Sequence, residues 1–193
     1  MTDLDASPRA AAPTLVQAGP ANPTAGARTA HRPLSGPGTA LTGGLLHDWQ
    51  QRNREASLPL ALRQLEVAGN LDNMRAAAAI RKGADGQGST AGPEYHGPVF
   101  MDSDIYKTLE AIGWELARDP GSATGQSLAG FADSAITLLE QAQQDDGYLD
   151  SYIQVSGEPR YGRLASSHEM YCAGHLIQAA VAMARTARSS QPG

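Results

Sequence analysis

The stretch DSDIYKTLEAIGWELARDP carries the strongest fold constraint in the chain. Ile105, Leu109, Ile112 and Leu116 recur at three- and four-residue spacing, which makes one apolar stripe on a helix and no alternating strand face. A helix of that kind must bury its stripe against other elements. Asp102, Ser103 and Asp104 stand at its N-terminus, where acids suit the helix dipole, and Asp119-Pro120 ends it.

The same period recurs on both sides. GLLHDWQQRNREASLPLALRQLEVAGN reads as two helical segments. The first runs through Leu46, Trp49 and Asn53; the second starts at Ser57 as an N-cap with Pro59 in its first turn, and Gly69 stops it. LDNMRAAAAI follows as a short helix with Asp72 as its cap, and a glycine-rich loop runs to residue 98. SLAGFADSAITLLEQAQQ turns Leu128, Phe131, Ala135, Leu138 and Leu139 inward. DDGYLDSYIQV reads as a turn at Gly147 and a short extended run, and RYGRLASS as a loop. Strand signals are few, so the expected fold class is mostly α, built from helical hairpins. Residues 1–40, rich in Ala, Pro, Thr and Gly without an apolar period, are expected to be a disordered leader ahead of one folded domain over 41–193.

Bulk properties exclude several classes. The chain has 193 residues and a formal charge of −5, with no basic stripe for nucleic acid. No run approaches the roughly 18 apolar residues of a membrane span. One cysteine, Cys172, rules out an internal disulfide and suits a cytoplasmic setting. GADGQGSTAG lacks the GK[ST] ending of a phosphate-binding loop. Asp145 and Asp146 are sequence neighbours and point apart, a poor acid–base pair. Trp49 and Trp114 fall on helical stripes and are expected in the core.

The last helix, SSHEMYCAGHLIQAA, holds the densest chemistry. Ser166 and Glu169 spell the S-x-x-E of a capping box, placing the helix start near Ser166. At 100° per residue His168, Tyr171, His175 and Gln178 share one face with Cys172 beside them, and small or apolar residues cover the other sides. Such a helix is expected to be largely buried, with its polar face turned inward or to a cavity. His168 and His175 lie a rise of roughly 10 Å apart, too far to share one ion, and the pattern is not H-E-x-x-H. From the residues alone, two readings stand: histidines bonded within a core, or a face that lines a binding site.

Three stretches together resemble a known family: GPVFMDSDIYKTLEAIGWEL, EQAQQDDGYLDSYIQV and SSHEMYCAGHLIQAAVA. In order and wording they are similar to the β-L-arabinofuranosidase glycoside hydrolases of family 127, over about residues 44–186. The resemblance implies an (α/α)6 toroid, of which this chain is expected to hold about the first half, with the sugar in the central pit. It implies that His168 helps hold an arabinofuranose ring and that Phe100 is an aromatic near the same subsite. His175, Asp102, Asp104 and Tyr148 match further motif positions and are candidate substrate-binding residues. The resemblance also implies a zinc-held cysteine nucleophile and glutamates downstream of these motifs. Cys172 is not that nucleophile, so no catalytic residue, metal ligand or cofactor is assigned to this chain. The first reading is therefore an N-terminal fragment of such a hydrolase, inactive alone, prone to self-association through exposed half-toroid faces. The alternative is a non-catalytic helical module that binds carbohydrate or acts as a scaffold. A third, for which no residue speaks, is an enzyme completed by a second polypeptide.

Overall fold

The computed structural model describes residues 28, 39–83 and 93–189. Residues 1–40, read as a leader, and the glycine-rich loop at 84–92 lie outside the described residues, Arg28, Thr39 and Ala40 excepted. The described residues form helices α1 (Gly44–Arg52), α2 (Leu58–Val67), α3 (Asn70–Arg81), α4 (Asp102–Arg118), α5 (Ala123–Ala142), α6 (Ser151–Ser156), α7 (Leu164–Ser167) and α8 (Glu169–Ser189). None of these helices is long and apolar enough to cross a membrane.

α1 runs into α2 without a break, through a π-helical turn at Asn53–Ser57. Ser57 is helical at φ −69° and accepts no capping bond, so it does not start a new helix as the sequence suggests. The wide turn sits directly before Pro59, whose missing N–H interrupts the helical ladder there. Gly69, at φ 87°, ends α2 and turns the chain into α3. Asp72 is not the cap of α3: it lies in the first turn, paired with Arg75. Asn73 fastens α3 to the following segment, donating to His96 O at 2.8 Å and accepting from His96 N at 2.8 Å.

α4 is the central element. Its stripe of Ile105, Leu109, Ile112 and Leu116 is buried as its period requires, and Tyr106 is fully buried among them. It packs chiefly on α8 and also on α2, α3 and α5. Gly113 permits the approach of α8: a Cβ there would lie 3.0 Å from Ala182. Thr186 fixes the crossing by donating its hydroxyl to Gly113 O at 2.7 Å. α5 begins at Ser122, whose Oγ accepts from Gly125 N at 3.0 Å, and buries Leu128, Ala135 and Leu139.

A buried charge cluster holds α1–α2 to the α4–α5 corner. Arg54, only 4% exposed, meets Glu115 at 2.9 Å and Asp119 at 2.9 Å, and also donates to Asp119 O and Ser122 Oγ. Arg118 adds a second cation to Glu115.

Several sequence expectations give way. Trp49 and Trp114 are 56% and 41% exposed and lie outside the core. DDGYLDSYIQV is not extended: Asp150 accepts from Ile153 N at 3.0 Å and starts α6, which Gly157 ends at φ 70°. The segment RYGRLASS contains the short helix α7. α8 is buried along Glu169, Cys172, Ala179, Ala182 and Thr186, while Met170, Tyr171, Ile177 and Val181 are exposed.

Two outcomes follow from this packing. Arg54→Ala leaves Glu115 buried beside one remaining cation, and urea unfolding should show a loss of about 3–5 kcal/mol. Gly113→Leu drives a side chain into the α8 backbone and should cost about 1–3 kcal/mol in the same measurement; unchanged midpoints would contradict the close crossing.

Candidate functional site

The N-terminus of α8 sits beside the N-terminus of α4, and between them lies a row of rings. Phe100 and His168 have centroids 5.2 Å apart, His168 and Tyr171 5.8 Å, and Tyr171 and His175 4.6 Å. Lys107 lies over the third ring, its Nζ 5.1 Å from the Tyr171 centroid. Three candidates, Phe100, His168 and His175, thus fall in one row, although only His175 lies on α8 itself. The row is open to solvent: Phe100 is 37% and Tyr171 43% exposed, and His168 is exposed too. The polar face of α8 is therefore a surface here and not a buried seam.

His168 does not sit inside a helix. It takes φ 59°, a left-handed conformation, and separates α7 from α8. The proposed capping box is not formed: Ser166 lies before this break, its Oγ bonded to Arg163 O at 3.4 Å, and Glu169 bonds elsewhere. His168 O accepts the first bond of α8, from Cys172 N at 2.9 Å. Its ring Nδ1 lies 2.9 Å from Ser166 O. A carbonyl only accepts, so Nδ1 carries the hydrogen and Nε2 of the neutral ring is an acceptor. On His175, Nδ1 is buried with no hydrogen-bond partner among the described residues.

The other candidates lie behind or beside this row. Asp102 is 2% exposed, and its two oxygens accept from Ser151 N, at 2.7 Å, and from Ser151 Oγ. Burial raises its pKa, and the two bonds from Ser151 oppose that rise. Asp104 is half-buried and lies 3.6 Å from Lys107 Nζ and 3.4 Å from Asn70 Nδ2. Tyr148 donates its hydroxyl to Glu169 at 2.5 Å, under the guanidinium of Arg160 at 4.1 Å. Burial first, and then its bond to Glu169, push its pKa up, so it stays a donor. Asp145 and Asp146 are each taken by a different arginine, Arg81 and Arg160.

Sequence reading missed Glu169, Asp150 and Tyr161 as members of the site. Glu169 looked like a capping residue, and only the fold reveals what converges on it. Asp150 carries one oxygen, Oδ2, that is buried with no partner among the described residues. Burial pushes its pKa up to about 7, helped by the negative charges of Asp102 and Glu169 and opposed by the Ile153 N–H. Cys172 is buried, and that burial, with Asp102 and Asp150 nearby, pushes its thiol up to about 12. Such a thiol is not a nucleophile at neutral pH.

The sequence matches the family profile described as beta-L-arabinofuranosidase, GH127 catalytic domain, over residues 40–191. A non-reducing end beta-L-arabinofuranosidase of Bifidobacterium longum subsp. longum is 44% identical over 94 residues, 46% of this chain and 14% of that protein. A crystal structure of a GH127 beta-L-arabinofuranosidase from Geobacillus stearothermophilus T6 superposes with a TM-score of 0.64 at 34% identity, covering 76% of this chain and 22% of that one. A second GH127 beta-arabinofuranosidase structure superposes with a TM-score of 0.65 at 28% identity, over 76% of this chain and 23% of the other. The chain thus spans about a seventh of the curated relative and less than a quarter of each solved one.

Asp150 gives the site a pH signature. Its folded value, about 7, lies above the ordinary 3.8, so the folded protein holds this proton more tightly than the unfolded chain. Its contribution to stability is full below about pH 4 and is lost as pH rises towards about 7. Asp150→Asn keeps the cap oxygen and removes the titration. The difference in melting temperature between the variant and the wild type should therefore grow with pH between about 5 and 7 and level off above; a constant difference would contradict it.

Proposed function

Because the chain belongs to the GH127 beta-L-arabinofuranosidase catalytic-domain family and carries part of its helical toroid, we propose that residues 100–175 form part of the sugar-binding pit of an arabinofuranosidase-type glycoside hydrolase. The ring row from Phe100 to His175 is the observation that carries this reading. The Phe100 face offers apolar contact to the C–H surface of a furanose. His168 Nε2 accepts a sugar hydroxyl, because Nδ1 is already spent on Ser166 O. His175 at the end of the row and Asp104 beside Lys107 bond further hydroxyls. Asp102 and Tyr148 act from behind, holding Ser151 and Glu169 in place. The ligand class is a terminal arabinofuranosyl unit, taken from the relatives' activity.

The described residues bind without supplying the bond-breaking groups. Cys172 is buried and held protonated. Zinc, which family resemblance implies for the full hydrolase, does not fit them: no group of three or more His, Cys, Asp or Glu among them is arranged to hold a metal ion. Hydrolysis in this reading draws on groups beyond the described residues. The chain by itself then behaves as a carbohydrate-binding module, which is the second reading, and the two differ only in the presence of a catalytic complement.

Titration of the full chain with methyl β-L-arabinofuranoside, followed by calorimetry or NMR, should show saturable binding. His168→Ala, which removes one hydrogen bond and one ring contact, should weaken it by about 10–100-fold. No saturable binding, or binding indifferent to His168→Ala, would refute the assignment.

A further inference from the structure

Among the described residues, two that are not glycine adopt positive φ: Tyr161 at 60° and His168 at 59°. A Cβ makes this conformation costly, so something must hold each of them. The same carboxylate serves both. Tyr161 N donates to Glu169 Oε2 at 2.9 Å and to Oε1 at 3.0 Å. His168 directly precedes Glu169 in the chain, and Ser167, on its other side, donates its hydroxyl to Oε1 at 2.8 Å. Tyr148 closes the set by donating to Oε2 at 2.5 Å. Donors from three chain segments thus converge on one side chain that is almost fully buried.

The character of this hub separates it from an ordinary ion pair. No lysine or arginine is bonded to Glu169 among the described residues; its partners are neutral N–H and O–H groups. Backbone N–H and short-chain O–H donors come from fixed directions and so set the geometry of the carboxylate. The carboxylate also lies in the first turn of α8, where the helix dipole favours its charge. Burial pushes its pKa up, but the bonds from Tyr148, Tyr161 and Ser167 outweigh that and leave it below the ordinary value, so the hub is ionised at neutral pH. Its oxygens are occupied, so it is not placed to take a sugar hydroxyl itself.

We infer that Glu169 is a positioning residue for the sugar site: it clamps the Ser167–His168 turn and the Tyr161 backbone so that the His168 ring stands against Phe100 with Nε2 left for the ligand. The inference rests on the sugar-site reading above and adds the residue on which that site's geometry depends. It also explains how a residue with a Cβ is held at positive φ at the junction of α7 and α8. A ring on the helix proper could not also fold its Nδ1 back to Ser166 O.

The test uses the full chain, labelled for NMR, as wild type and as Glu169→Gln. The wild type should show a ring–ring NOE between Phe100 and His168, and the strong intraresidue HN–Hα NOE of positive φ at His168 and Tyr161. Glu169→Gln sets an amide donor against the Tyr161 N–H. It should lose these NOEs, leave the methyl shifts of Ile105 and Leu109 unchanged, and weaken methyl β-L-arabinofuranoside binding at least tenfold. Retained NOEs, or lost NOEs with wild-type affinity, would overturn the inference. A wild type that binds no arabinofuranoside would sink the sugar-site reading instead, while the NOEs still decide whether Glu169 sets the turn. Should Glu169→Gln fail to fold, Tyr148→Phe combined with Ser167→Ala removes two of the donors and should move both readouts in the same direction; no change in either would count against the clamp.

Discussion

The close crossing of α4 and α8 is the contact on which the rest of the molecule depends. It exists because position 113 has no side chain. With a Cβ there only 3.0 Å from Ala182, any larger residue would push the helices apart. Ala179 and Ala182 on the facing side are small for the same reason, and Thr186 locks the pair through Gly113 O. The crossing registers the two N-termini as well as the helix centres. Phe100 and Lys107 at one helix start are thereby brought to His168 and Tyr171 at the other. A shift of a fraction of an ångström at position 113 would be felt at the rings, because packed interiors transmit displacement and do not absorb it.

Around those N-termini the chain uses buried acids as structural pins. Asp102 holds Ser151, Asp150 starts α6, and Glu169 gathers three segments. None of the three has a bonded cation among the described residues, and they differ in how their charge is stabilised. Glu169 receives enough donors to stay ionised. Asp150 keeps one oxygen unpartnered, and its pKa rises to about 7. Burial raises both; on Glu169 the bonds from Tyr148, Tyr161 and Ser167 outweigh it, whereas on Asp150 the backbone donors do not. Arg54 works differently at the far corner, where a buried cation meets Glu115 and Asp119 directly.

The family relationship covers a helical part of the GH127 catalytic domain. The chain carries a helical part of the toroid and spans less than a quarter of each solved relative. In this part the groups suited to hydroxyl recognition are exposed and grouped, whereas the one thiol is buried and protonated. The ring row and the thiol thus stand in opposite environments, one open to solvent and the other closed.

Periodicity alone determined the helical class, the α4 stripe of Ile105, Leu109, Ile112 and Leu116 and the shared face of Tyr171 and His175, and the glycine at 69 marked the stop of α2. These are local properties: three or four residues along a helix always share a face. Three linked motifs likewise identified the family before any coordinates. Exposure did not follow, and Trp49, Trp114 and the ring face of α8 lie open where a stripe suggested burial. An amphipathic pattern states which face wants a partner, not whether one is present. Nor could the sequence reveal that S-x-x-E would fail as a capping box. The Glu169 carboxylate that a capping box would turn back to the helix start is taken instead by Tyr148, Tyr161 and Ser167, from different segments, and His168 between them is left-handed. Local sequence sets what each helix offers; which offer is taken is decided by donors that only the tertiary fold brings within reach.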